Sequence, residues 1–222
     1  MPAIGHWDAW AERSLNWKPS VEFMYPFGRD HAAAFAPLEP LFAELGALRG
    51  VEVLPLDWMR TTWMLLGFVS ALDLSWLDVE TFHGKAAPRL RRVESRTVRL
   101  GGLDLTDDGR VVLRVEDGGL FREARKEAAF GLQRADDVLK AQLTPDGDPY
   151  EPTIDIAYLD ANASEGEVVQ AIDPYRSLDL GEVRVQKLML GRAVMQPQAH
   201  YAFLDIFIEI PIADSQRAGA RS

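Results

Sequence analysis

Apolar and polar residues alternate over Ser20 to Tyr25 (Ser-Val-Glu-Phe-Met-Tyr) directly after Pro19, which predicts a strand. Phe27-Gly28-Arg29-Asp30 then reads as a turn, and Asp30 is placed to cap an alanine-rich stretch from His31 to Leu48. Pro37 and Pro40 fall inside that stretch, so the regular helix is expected to begin near Pro37 and to end at Gly50. Val51 to Pro55 predicts a short strand, and Met59 to Phe68 an apolar one. Leu77 to Leu90 predicts a helix, with Asp78 and Glu80 in its first turn. Val93 to Leu105 and Arg110 to Glu116 predict two strands, and Thr106-Asp107-Asp108-Gly109 between them carries the Asp-Gly signal of a tight hairpin. Leu120, Phe121, Ala124, Ala128 and Leu132 recur at helical spacing, which predicts a helix from Leu120 to Gln133. After a loop over Thr144 to Pro149, Thr153 to Leu159 predicts a strand and Gly166 to Ile172 a short helix. Val183 to Leu190 and Tyr201 to Ile210 are expected to close the fold as two long strands.

Helices alternate with antiparallel hairpins in this order, which favours an α+β fold over a parallel sheet. No stretch reads as a linker between separately folded units. The expectation is one domain over 1–222, with 1–18 as an N-terminal extension and a polar tail that frays over 214–222.

Composition narrows the function. The 222 residues are 47% apolar and 26% charged, as in an ordinary globular chain with a core. No apolar run approaches the length of about eighteen residues that a membrane helix needs, so no membrane association is expected. The first residues hold Trp7, Trp10 and Trp17 among charges, without the basic start and apolar stretch of a signal peptide. There is no cysteine, which excludes disulfides, thiolate metal sites and cysteine nucleophiles, and a cytoplasmic location is the natural reading. The formal charge of −10 argues against a long nucleic-acid partner, whose phosphates need a basic stripe. Arg89, Arg91, Arg92, Arg96 and Arg99 do cluster; they read as a solvated helix end and strand face, with a small anion as the alternative. The four histidines, His6, His31, His83 and His200, lack the spacing of a metal pair, so neither a metal nor another cofactor is expected.

Two short strands carry the candidate chemistry. The first contains Arg60-Thr61-Thr62 and the second Thr153-Ile154-Asp155, the latter preceded by Tyr150-Glu151-Pro152 and followed by Ala157-Tyr158. Side chains alternate along a strand, so Arg60 and Thr62 share one side, and Thr153 and Asp155 share one side.

Together with the closing strand ending in Ile210-Pro211-Ile212, these segments resemble the two-histidine phosphoesterases, the 2′-5′ RNA ligase-like and cyclic-phosphodiesterase superfamily. The likeness runs from about Val21 to Ile212. It implies a bilobal arrangement of two antiparallel sheets with flanking helices around a central cleft. In that family each motif strand reads His, an apolar residue, then Thr or Ser, and the two histidines act as general base and general acid. Both histidines are replaced here, by Arg60 and Thr153. Arginine stays protonated and threonine carries no proton-transfer group that works near neutrality, so the usual chemistry is not available at these positions.

The candidate catalytic residues are therefore Arg60, as an anchor for a carboxylate, enolate or phosphate oxygen, and Asp155, as a weak acid or base. Thr62, Thr153, Tyr158 and His200 are the candidate substrate-binding residues. The opposed reading makes Arg60 and Asp155 an ion pair that plugs the old pocket. The leading functional expectation is a repurposed protein acting on a small molecule in the cleft, with a biosynthetic cyclase or isomerase as one version. The alternatives are a cyclic phosphodiesterase with an unusual site that uses His200 or another group, and an inactive regulatory protein.

Overall fold

A computed structural model of the chain describes residues 19–68, 75–132, 150–196 and 201–214. Strand β1 (Ser20–Tyr25) leads into a short helix α1 (Phe27–Asp30) and a 3-10 turn (Ala32–Leu38). Helix α2 (Glu39–Ala47) follows, then β2 (Val51–Val53), a 3-10 turn (Leu56–Trp58) and β3 (Thr61–Phe68). Next come α3 (Trp76–Leu90), the hairpin β4 (Arg96–Leu105) and β5 (Arg110–Glu116), and α4 (Leu120–Leu132). Then β6 (Thr153–Leu159), α5 (Glu165–Ile172) and a 3-10 turn (Asp173–Tyr175) precede β7 (Asp179–Val185), β8 (Lys187–Gln196) and β9 (Tyr201–Pro211).

The elements form an α+β fold with two antiparallel sheets, one of four strands in the order β3-β1-β8-β9 and one of five in the order β2-β6-β5-β4-β7. The chain crosses between them more than once, since β2 pairs in the second sheet while its neighbours β1 and β3 pair in the first. Helices α3 and α4 pack on one another and reach β9 and β3, whereas α2 and α5 flank β2 and β4. The main core lies under these helices and takes Val21, Phe23, Trp63 and Leu190 from the four-stranded sheet and Leu100, Leu113, Ile154 and Ile156 from the other. A smaller apolar cluster of Leu54, Trp58, Tyr158 and Ala193, with Leu204 against it, takes members from both sheets. Among the described residues no helix is long and apolar enough to cross a membrane.

Four expectations need correction. The expected helix from Pro37 starts at Glu39, because Pro37 sits in a 3-10 turn and Pro40 takes the first helical turn, where its missing N–H is no loss. Asp30 does not cap it, but ends α1. The expected strand Val183–Leu190 is two strands: the chain breaks at Gln186, so β7 closes the five-stranded sheet and β8 enters the other. The alternation changes phase across Gln186-Lys187, from Val183 and Val185 to Leu188 and Leu190, which marks a break in the strand but does not show which sheet each half joins. The helix expected from Leu77 begins at Trp76, capped by Ser75, whose side chain and Asp78 exchange bonds with each other's backbone N–H groups in a capping box.

Candidate functional site

The first motif forms a closed polar cluster rather than an open anchor. Val21, Phe23 and Tyr25 of β1 point into the main core, so Ser20, Glu22 and Met24 take the opposite face. Glu22 is 1% exposed there and is the only acid on β1. Arg60 grips it through both nitrogens of one guanidinium edge, Nη2 to Oε1 at 2.8 Å and Nε to Oε2 at 3.1 Å. Ser20 Oγ donates to Oε1 at 2.7 Å and Thr62 Oγ1 donates to Oε2. Arg60 Nη1 also donates to the Trp58 carbonyl at 3.3 Å, and its guanidinium lies over the Trp58 ring, 4.2 Å from the ring centre. Burial alone would raise the Glu22 carboxyl, but the Arg60 charge and the bonds from Arg60, Thr62 and Ser20 outweigh it and hold the pKa below its ordinary value.

The second motif reaches the solvent side of its sheet. Ile154 and Ile156 of β6 enter the core, so Thr153 and Asp155 stand on the outer face beside Arg114 and Val112 of β5. Simple alternation would put Tyr158 on the core side. A register shift between Val111 and Val112 instead absorbs one residue, and Ile156 and Ala157 both turn inward. Tyr158 thereby joins Asp155, and its hydroxyl donates to Asp155 Oδ2 at 2.9 Å. Arg110 Nη1 donates to Oδ1 at 3.1 Å. Burial, and then the Asp155 charge, push the Tyr158 phenol well above its ordinary pKa, so it remains a donor. Arg60 and Asp155 are thus not each other's ion pair: Arg60 belongs to Glu22, and Asp155 to Arg110 and Tyr158. The two clusters do feel one another, since Tyr158 and Asp155 both favour the charged form of Arg60.

The motifs are stitched together at their starts. Thr61 Oγ1 donates to the Thr153 carbonyl at 2.9 Å, and the Tyr150 hydroxyl donates to the Thr62 carbonyl at 3.2 Å. Trp63 stacks on Phe23 inside the core and does not line the cleft. The expected binding residue His200 lies outside the described residues.

A hollow of about 500 Å³ opens on the same outer face, lined by Arg99, Arg114, Glu116, Glu151, Thr153 and Arg176 among others. A glycine pair makes it. The β4–β5 register shifts between Leu100 and Leu103, and Gly101 and Gly102 fill the irregularity with no side chain. Gly102 has φ +74°, which favours glycine, and an added Cβ would overlap the Arg114 guanidinium and lie 2.9 Å from the Arg176 carbonyl. Arg114 occupies that space, with Nη2 donating to the Arg176 carbonyl at 3.0 Å. Arg99 is engaged by Asp179, and Arg176 by Asp104 and Asp173. Arg114 has no carboxylate partner among the described residues. Among the expected site residues only Thr153 lines this hollow.

Glu22, Arg110 and Arg114 are the residues the sequence reading missed. Glu22 left one signal, an acid between apolar neighbours on a strand beside the first motif. Gly101-Gly102 left another, since a glycine pair inside a strand pattern marks a bulge or a close approach. Arg114 and Arg110 left none until the strand register was known.

The chain matches no protein-family model and no curated protein. Solved structures do match. TT0787 of Thermus thermophilus superposes with a TM-score of 0.66 at 15% identity, over 88% of this chain and 99% of that one. E. coli LigT in complex with NADP+ gives 0.58 at 14% identity, over 88% and 98%. LigT in complex with ATP gives 0.56 at 15% identity, over 88% and 99%. The chain therefore has the fold of the two-histidine phosphoesterases, as the motif strands imply. At these identities the likeness speaks for the fold and not for the activity.

Proposed function

We propose that this protein binds, or acts on, a small charged molecule in the hollow beside the second motif strand, without two-histidine phosphodiester chemistry. The observation that carries this is Arg114, a half-engaged guanidinium held against a glycine bulge and next to the Thr153 hydroxyl in an open concavity. A guanidinium fixed in advance loses little side-chain freedom on taking an oxyanion. LigT, which shares the fold, has been crystallised with ATP and NADP+, so this fold has room for a small charged ligand.

The other half of the cleft supports the loss of hydrolysis. Where a histidine would act, Arg60 is buried and committed to Glu22, and Trp58 and Tyr158 pack over it. A biosynthetic cyclisation or isomerisation is the reaction class we carry forward, with Asp155, outside the hollow's lining and held by Arg110 and Tyr158, as the candidate proton-handling group only if the ligand reaches two residues along the face from Thr153. A purely regulatory role is the second reading, and the filled first motif favours it.

Binding and turnover separate these readings. No hydrolysis of 2′,3′-cyclic AMP above the uncatalysed rate is expected, and Arg114→Ala should weaken binding of small carboxylates or phosphates by at least about tenfold, which is about 1.4 kcal/mol. Gly102→Ala should weaken it as well by displacing the guanidinium, at a stability cost of about 1–2 kcal/mol for the left-handed backbone. Cyclic-nucleotide turnover that disappears in Thr153→Ala would sink the proposal.

A further inference from the structure

We infer that the hollow takes a zwitterion, a small molecule with one anionic and one cationic end such as an ω-amino acid or a short peptide. This rests on the binding reading above and names the class of ligand. The lining residues carry Arg99, Arg114 and Arg176 against Glu116, Glu151 and Asp179, so their formal charges cancel. Asp179 holds Arg99, and Asp104 and Asp173 hold Arg176. What remains for a ligand is one cation, Arg114, and two carboxylates, Glu116 and Glu151. Neither glutamate has a hydrogen bond or ion pair among the described residues.

The ladder sorts these charges into rows. Arg114 stands opposite Thr153, and the next backbone bond runs from the Val115 N–H to the Pro152 carbonyl at 3.2 Å. Glu116, the last residue of β5, and Glu151, just before β6, both line the hollow beyond that bond. Arg99 on β4 stands opposite Glu116 in the ladder, but its guanidinium is held by Asp179. Two carboxylates on the wall of one hollow attract a cation. A cationic group seated by them meets opposite charge, while Arg114 on the same wall takes the anionic end. A polyphosphate would bring several negative charges against the same glutamates. The hollow therefore discriminates against it by like-charge repulsion, the usual basis of rejection at a charged site.

The test is a calorimetric titration of the full chain with β-alanine through ε-aminocaproate and with glycylglycine. Caproate and hexylamine serve as analogues carrying one charge each. The best zwitterion should bind at least about tenfold more tightly than either analogue. Arg114→Ala should weaken the zwitterion and caproate together. Glu151→Gln should weaken the zwitterion and hexylamine, and leave caproate unchanged or tighter. Both residues are on the surface of the hollow, so the variants keep the fold. If AMP binds through Arg114 and no zwitterion does, the zwitterion inference falls and the broader binding reading stands. If nothing in either set binds, both fall. Zwitterion binding that ignores both substitutions places the site elsewhere and also overturns the inference.

Discussion

Arg60→Ala is expected to destabilise the fold by about 3–5 kcal/mol, because it leaves the buried Glu22 carboxylate without its cation. Glu22 is 1% exposed, and no water can replace two guanidinium bonds there at comparable strength. Urea unfolding of both proteins measures the loss. The double variant Glu22→Leu/Arg60→Met should recover most of it, since a well-packed apolar pair often equals a buried ion pair in stability. A loss below about 1 kcal/mol for Arg60→Ala, the range of exposed pairs, would show that the cluster is solvated in solution.

The same cluster sets the acid limit of stability. Glu22 has its pKa held below the ordinary value of 4.5, so in mildly acid solution the unfolded chain binds the proton that the folded chain refuses. Stability must then rise with pH through that window, be complete above the ordinary carboxyl range, and be lost as pH falls through the lowered value. Glu22→Gln removes the titrating group. Its stability should fall less steeply on the acid side than that of the parent, although it starts lower. Parallel acid limbs would show that other carboxylates dominate.

The fold was legible because the two motif strands, in this order and spacing, resemble those of a known family, and the apolar pattern supported an α+β arrangement. The sequence carried the site only by half. Arg60, Thr62, Thr153 and Asp155 do stand at the motif strands, but what each does is decided by its cross-strand neighbour. Glu22 reaches Arg60 from 38 residues away and Arg110 reaches Asp155 from 45 residues away. Tyr158 faces Asp155 because of a bulge, and bulges leave no trace in apolar periodicity when the extra residues are Ile156 and Ala157, both apolar. The hollow escaped for the opposite reason. It is made by the missing side chains of Gly101 and Gly102, and a pattern read from side chains records them only as an interruption.

Trp58→Ala should cost about 3–5 kcal/mol, as large aromatic deletions from a core do. Trp58 is fully buried, belongs to the cluster with Leu54, Tyr158 and Ala193, and carries the Arg60 guanidinium on its ring. For a chain of this size the melting temperature should fall by about 10 °C. The cavity would lie in the smaller cluster that takes members from both sheets, away from the hollow beside Arg114. Added indole should therefore raise the melting temperature of the variant and not of the parent, because the ring refills the void, restores the stacking surface for the Arg60 guanidinium, and binding stabilises the folded state. Affinity for the best zwitterion, measured below the transition, should be unchanged. A variant that loses this affinity along with its stability would show that the plug at the first motif also holds the hollow at the second. The two halves of the cleft would then be one site, with Trp58 and Arg60 part of its wall.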